Sequence, residues 1–371
     1  MKRAFITFFA CACAISVIAQ NNNDSKLLEL LKQKNIITQA EVDSLQRVMA
    51  EETPMPEPEK KPKFKPSITA SGVGHISYQL DRQNGSYTNT FNLVRVCGLV
   101  NAEVLRNVRL VGMYYFAPKA IQHMHEFYAK WTPKREIGLS VGVQKVPLSL
   151  GNLLSPATIE TINPARAVME VTGGERDITN GTNTGRDLGI EIFGELIHYD
   201  THSLIDYKAG VFNGVGAQAI KDNNKYKDYV AMLFFQPIKG WRIGGSALYG
   251  KIGSNSGEYK ERTVWNVGTE YDNRFMMIRA EYIGAKNSPT DRKGAYILGM
   301  WKACKWADVL AVYDYFKKDI TDGTERSNDY MAGINLKFNK MCRLQTFYIF
   351  RDSSLPGCDK STFITQLQVG F

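Results

Sequence analysis

From Ile68 to Phe371 the chain runs as stretches of about ten residues in which apolar and polar side chains alternate, a length and period of two that suit tilted membrane-crossing strands. Ile68, Ala70, Gly72, Gly74, Ile76, Tyr78 and Leu80 share one face, against Thr69, Ser71, His75, Ser77 and Gln79 on the other. The last stretch sets Phe363, Thr365, Leu367, Val369 and Phe371 against Ile364, Gln366, Gln368 and Gly370. The same test works at Val94–Val104, Ile137–Val143, Leu188–Leu196, Trp241–Tyr249, Ala307–Tyr315 and Tyr330–Phe338. Only a closed barrel lets so many strands face lipid without exposing an unpaired edge. The expected fold is all-β, a transmembrane antiparallel β-barrel.

Turn spacing supplies a strand count. Short links fall near Arg106-Asn107, Pro133-Lys134, Asp200-Thr201, Lys239-Gly240, Asp272-Asn273, Lys305 and Asn339-Lys340. Longer polar ones are expected near Asp81–Thr90, Gly214–Lys225, Ser254–Glu258, Asn287–Lys293, Lys318–Ser327 and Ser353–Lys360. Short turns alternating with long loops give about 16 strands with both ends on the periplasmic side of a Gram-negative outer membrane, and a barrel of that size encloses an aqueous channel. Trp131, Trp241, Trp265, Trp301, Trp306, Tyr348 and Phe371 fall near strand ends, where interfacial girdles lie. Outer-membrane lipid and the barrel assembly machinery are the expected partners, with Phe371 closing the last strand as an assembly signal.

The first 66 residues have another character. Met1-Lys2-Arg3, an apolar Ala4–Ile18 and the small-residue site Val17-Ile18-Ala19 read as a signal peptide, residues 1–19. Cys11 and Cys13 lack the Leu-x-small context of a lipoprotein. Residues 20–50 space Leu27, Leu28, Leu30, Leu31, Ile36, Ile37, Val42, Leu45 and Val48 at helical intervals. A break is expected at Asn35, and Thr38-Gln39-Ala40-Glu41 has the form of a capping box. This segment reads as a periplasmic helix, either a short coiled coil or a soluble spacer. Residues 51–66 form a charged Pro-rich linker, and residues 67–371 the barrel domain.

Removing Lys2 and Arg3 from the net charge of +9 leaves +7, and residues 20–66 carry as many acids as bases, so the excess belongs to the barrel. Cys97, Cys304, Cys342 and Cys358 are too scattered for a disulfide framework or a metal site. Of the histidines, His123 and His125 share a strand face without a third ligand, and His75, His198 and His202 stand apart from any nucleophile pattern. The chain is therefore expected to be no enzyme and to take no cofactor. The charge lacks the clustering of a nucleic-acid binder.

Val146–Gly185 is the exception among the loops. Roughly forty residues with Pro147, Pro156, Pro164, Gly173-Gly174 and Asn180-Gly181 exceed an ordinary connection. By strand order this is the third extracellular loop, the one placed to enter the lumen.

Val141-Gly142-Val143-Gln144-Lys145-Val146-Pro147-Leu148-Ser149-Leu150, with Asn152-Leu153-Leu154-Ser155, resembles a "GxxKxPFSxExLxS" passage of the phosphate-selective porin O and P family. Arg186-Asp187-Leu188-Gly189-Ile190 and Ala209–Gly216 resemble two further passages in the same order. Leu148 and Gly151 stand where the family often has Phe and Glu. The resemblance covers residues 68–371 and implies a sixteen-stranded porin, commonly a homotrimer, whose third loop narrows the pore. The family's arginine ladder cannot be placed here residue by residue.

Taking the polar strand faces as lumenal gives Arg95, Arg109, Lys130, Lys208, Arg242, Arg279, Lys302, Lys337, Arg343 and Arg351 as inward bases. Acids are equally available, among them Glu103, Glu126, Asp187, Glu191, Glu270, Glu281, Asp308, Asp314 and Asp329, so cross-strand neutralisation competes with an anion-attracting field. Lys145, Arg166, Arg176 and Arg186 border the long loop and are the constriction candidates. The expected function is passive diffusion of small hydrophilic solutes with a preference for anions, phosphate among them. A barrel acting as adhesin or structural tether without a conducting pore is the alternative.

Overall fold

The computed structural model describes residues 30–34, 37–44, 64–116, 124–171, 185–216, 222, 224–253, 257, 259–287, 290–320 and 323–371. The expected signal peptide, most of the linker, the break at Asn35 and Arg176 lie outside them. The chain divides into two units at Lys63/Phe64.

In the first unit, residues 30–33 and 39–44 are helical. Thr38 starts the second stretch: its backbone N–H and its hydroxyl both donate to Glu41 Oε2, at 2.8 Å each. These bonds, the backbone one first, hold the Glu41 carboxyl below its ordinary 4.5.

The second unit is a single closed sheet. Its strands are β1 (Ser67–Gln83), β2 (Ser86–Leu105), β3 (Val108–Tyr115), β4 (Met124–Trp131), β5 (Gly138–Lys145), β6 (Arg186–His198), β7 (Ser203–Phe212) and β8 (Asp228–Ile238). They continue as β9 (Trp241–Ile252), β10 (Lys260–Asp272), β11 (Met276–Asn287), β12 (Thr290–Cys304), β13 (Ala307–Ile320), β14 (Gly323–Lys337), β15 (Arg343–Ser353) and β16 (Lys360–Gly370). Each pairs antiparallel with its neighbours in sequence, and β1 closes on β16 from Val73↔Gly370 to Arg82↔Ser361. Closure at sixteen leaves no sheet edge along the seam, which the two-residue period requires of a wall facing lipid.

Three expected loops are shorter than their polar sequence suggests, their described residues being mostly strand. Asp81–Thr90, Asn287–Lys293 and Lys318–Ser327 are largely strand, with β1 and β2 running to a two-residue turn at Asn84-Gly85. Both turn residues have positive φ, 52° and 76°, the backbone a type I′ hairpin demands and an Asn-Gly pair adopts at little cost. Polar strand residues simply continue the ladder beyond the apolar band.

The two faces differ as alternation dictates. Along β8, Tyr229, Leu233 and Phe235 are exposed while Asp228, Val230, Met232 and Phe234 are buried. The outward set includes Trp131, Trp241, Trp265, Trp301, Trp306 and Tyr348. Cys97, Cys304, Cys342 and Cys358 are all free thiols.

Phe371 completes the closing ladder: its N–H donates to Gly72 O and its carbonyl accepts from Gly72 N, both at 3.1 Å. Its ring lies over Gly72, where a Cβ would come within 2.7 Å of Phe371 Cε1, yet the residue is 79% exposed. We propose that this ring is read by the assembly machinery. Deleting Phe371 should lower the heat-modifiable, membrane-inserted form in cells while protein refolded in detergent still reaches it. Normal assembly in cells would refute the role.

Candidate pore constriction

Leaving β5 at Lys145, the chain turns onto the inner face of the barrel. Val146, Leu148, Ser149 and Leu150 are buried, and two short helices follow, α1 (Leu150–Leu153) and α2 (Arg166–Val171). Between them, residues 149–168 bond to side chains of β9, β11, β13, β14, β15 and β16. One short segment reaches so many strands of a closed sheet only from inside it.

Glu281 of β11 is the principal anchor. Its Oε2 accepts from Ser149 Oγ at 2.9 Å, Gly151 N at 3.0 Å and Tyr296 OH at 2.7 Å, and its Oε1 from Leu150 N at 2.7 Å and Asn266 Nδ2 at 2.8 Å. Five donors saturate a buried carboxylate and satisfy the N–H groups that begin α1. Ser149 is held at φ 68°, a conformation a non-glycine residue keeps only when its surroundings impose it. Gly151 is close to Val168 of α2, where a Cβ would lie 2.7 Å from Cγ2; a glutamate at that position has no room. Asn152 Nδ2 donates to Val146 O at 3.1 Å and Gly185 O at 3.2 Å, tying the outgoing and returning ends together.

Farther along, Ala157 O accepts from Gln368 Nε2 at 3.1 Å, and Glu160 O accepts from Asn335 Nδ2 at 2.7 Å and Gln345 Nε2 at 3.0 Å. The Glu160 carboxylate receives Arg279 in a two-pronged pair at 2.8 and 3.1 Å. Asp314 of β13 then accepts from the backbone N–H groups of Arg166 and Ala167 at the start of α2.

Apolar packing reinforces these bonds. Ala167 and Val168 join Met277, Ile283, Leu298, Val312 and Phe316; Leu150 packs on Met232 and Phe234; Ile162 packs on Leu310, Phe347 and Ile364. The expectation that the polar strand faces are the lumenal ones holds only in part over β8–β13, where apolar residues such as Met232, Phe234, Met277, Ile283 and Phe316 alternate with the polar anchors on the inner face because that face meets the loop rather than water.

The candidate bases divide into two groups. On the loop-covered side they are spent on carboxylates: Arg279 on Glu160 and Glu270, Arg242 on Glu270 at 2.8 Å, and Arg351 on Asp329 at 2.6 and 2.7 Å. Arg166 reaches Glu325 at 2.5 Å and Ser327 at 2.6 Å and lies over the Phe316 ring. Arg186 pairs with Glu126 at 2.6 Å, and the Lys145 amine donates to Leu154 O.

The second group, Arg343 on β15, Arg95 on β2, Arg109 on β3 and Lys130 on β4, forms no ion pair within 4.0 Å among the described residues. Lys130 lies 4.2 Å from the centre of the Phe193 ring, and Glu103 stands opposite Arg109 in register. Cross-strand register sets Arg343, Gln368, His75 and Arg95 side by side on β15, β16, β1 and β2. Arg343 Nε donates to Gln368 Oε1 at 3.1 Å; His75 Nε2 lies 3.0 Å from the same oxygen; Arg95 Nη1 lies 3.2 Å from His75 Nδ1. A guanidinium only donates, so His75 Nδ1 accepts and the proton sits on Nε2, facing Gln368. A neutral histidine and an amide thus position two guanidiniums in one row, and Gln368 joins that row to the loop through Ala157 O.

No family model and no curated protein matches the sequence. Among solved structures, an anion-selective porin from Comamonas acidovorans superimposes with a TM-score of 0.61 at 9% identity, covering 83% of this chain and 100% of that one. OmpF of Salmonella typhi gives 0.60 at 11% identity over 81% and 97%, and a trimer form of OmpT from Vibrio cholerae gives 0.58 at 14% over 82% and 100%. The chain has the fold of outer-membrane porins. Identities this low establish that fold and nothing finer.

Proposed function

We propose that the chain is an outer-membrane channel for passive diffusion of small hydrophilic solutes, and that its constriction favours anions, phosphate among them. The observation that carries this reading is the row Arg343–Gln368–His75–Arg95, two guanidiniums without a carboxylate partner beside the lumenal loop. The loop bonds to β9 and to β11 through β16, whereas Arg95, Arg109 and Lys130 stand on β2 to β4 and, with Arg343 at the loop's margin on β15, form no ion pair within 4.0 Å among the described residues, so their charge acts across the remaining passage. A low-dielectric wall on both sides focuses such a field on a passing ion. The anion-selective porin with the same fold adds support by analogy.

Of the constriction candidates, Arg166, Arg186 and Lys145 serve in this reading to hold the loop and its neck. Residues 1–19 act as the export signal, 20–50 as a periplasmic helical segment, 51–66 as linker and 67–371 as the pore. The trimeric form of the OmpT neighbour supports a homotrimer. In a planar bilayer the purified protein should give discrete current steps whose reversal potential in a salt gradient reports anion preference. A correctly folded but silent barrel would leave the adhesin or tether as the better account.

A further inference from the structure

At the loop end of the barrel, the outer face carries a cleft of about 210 Å³ lined by Trp265, Tyr282, Gly284, Lys286, Lys293 and Lys317. Gly284 of β11 stands opposite Trp265 of β10 and Lys293 of β12, and Lys293 stands opposite Lys317 of β13. Without a side chain at Gly284, the Trp265 ring lies across it; a Cβ there would come within 2.8 Å of Cε2. Trp265 and Tyr282, with centroids 5.4 Å apart, make an aromatic floor. The lysines stand just beyond that floor, toward the loop end.

Two carboxylates share the cleft. Asp319 lies 3.3 Å from Lys317 and Asp291 stands opposite Lys286; with Arg292, whose Nη1 donates to Glu170 O, four cations line the cleft against two anions. Lys293 forms no ion pair among the described residues. Like charges directly opposite on neighbouring strands repel; Asp319 offsets Lys317, so Lys293, facing it, is the charge left for an added anion. Aromatic side chains at the end of the apolar band mark the depth of lipid headgroups, and a basic patch immediately beyond them meets headgroup phosphates.

We propose that this cleft binds a lipid phosphate of the outer leaflet, with Lys286, Lys293 and Lys317 supplying donors and Trp265 and Tyr282 supporting the apolar part of the headgroup. It rests on the reading that the barrel spans the outer membrane with this end outward. The site faces away from the pore, so conduction and lipid binding are separable.

The test is native mass spectrometry of the purified full-length barrel titrated with a diglucosamine lipid bearing two phosphates, beside its dephosphorylated counterpart and inorganic phosphate. The phosphorylated lipid should remain bound and the dephosphorylated one should not. In Lys286→Gln/Lys293→Gln/Lys317→Gln, binding should weaken about tenfold or more while bilayer conductance is unchanged. Displacement of the lipid by inorganic phosphate at equal concentration would overturn the lipid as the source and leave a free-anion site. Equal binding of both lipids, or wild-type binding by the triple variant with a heat-modifiable barrel intact, would overturn the proposal. Absence of conduction alongside retained lipid binding would instead count against the channel reading.

Discussion

Replacing residues 150–182 with a short Gly-Ser link raises single-channel conductance by roughly twofold or more, since a segment bonded to six strands of the inner wall, β11 to β16, obstructs the passage it crosses. The replacement also exposes Phe234, Phe316 and Phe347 to the lumen, so some loss of thermal stability accompanies it. A narrower variant separates the two effects. Glu281→Ala strands the donors of Ser149, Leu150, Gly151, Asn266 and Tyr296, and losing a saturated buried carboxylate costs about 3–5 kcal/mol. The neck of the loop should then come free while the β-ladder persists, giving noisy, higher-conductance openings in bilayer recordings and a lower melting temperature. Wild-type conductance in both variants would mean that the segment does not limit flow.

The second large effect concerns charge. Arg95→Gln/Arg343→Gln keeps a donor for His75 Nδ1 and for Gln368 Oε1 but removes both charges from the row. Anion preference should fall steeply, with the reversal potential moving toward zero and the heat-modifiable mobility unchanged. Arg166→Gln should behave differently: that side chain is engaged by Glu325, Ser327 and Phe316, so its loss loosens α2 and shifts selectivity little.

Much of the barrel was legible because a two-residue period names both the strand and the face it turns to lipid. The same period turns Arg95, Arg109, Lys130, Arg242, Arg279, Arg343 and Arg351 to the lumenal face, but it says nothing of their partners. Glu281 joins residues 130 to 132 positions away, and His75 meets Gln368 across 293, so neither anchor nor row leaves a local signal. The hairpin at Asn84-Gly85 had a signal that polarity outweighed: flanking Asp, Arg and Asn residues resemble a loop, whereas the Asn-Gly pair already specified a tight turn. Apolar residues on both faces of β8 were also visible in the run Tyr229–Phe235, and they mean that a strand is covered twice. What covers the inner face, lipid being excluded there, only the fold reveals.

If the proposed arc of bases without ion pairs faces the constriction, the reversal potential of the unmodified protein in asymmetric salt registers it most directly. Because the Debye length is about 10 Å at 0.1 M and 3 Å at 1 M, anions should permeate preferentially in dilute salt and the preference should fade toward 1 M. A cation preference in dilute salt, or a potential that ignores both ionic strength and the Arg95→Gln/Arg343→Gln substitution, would contradict it.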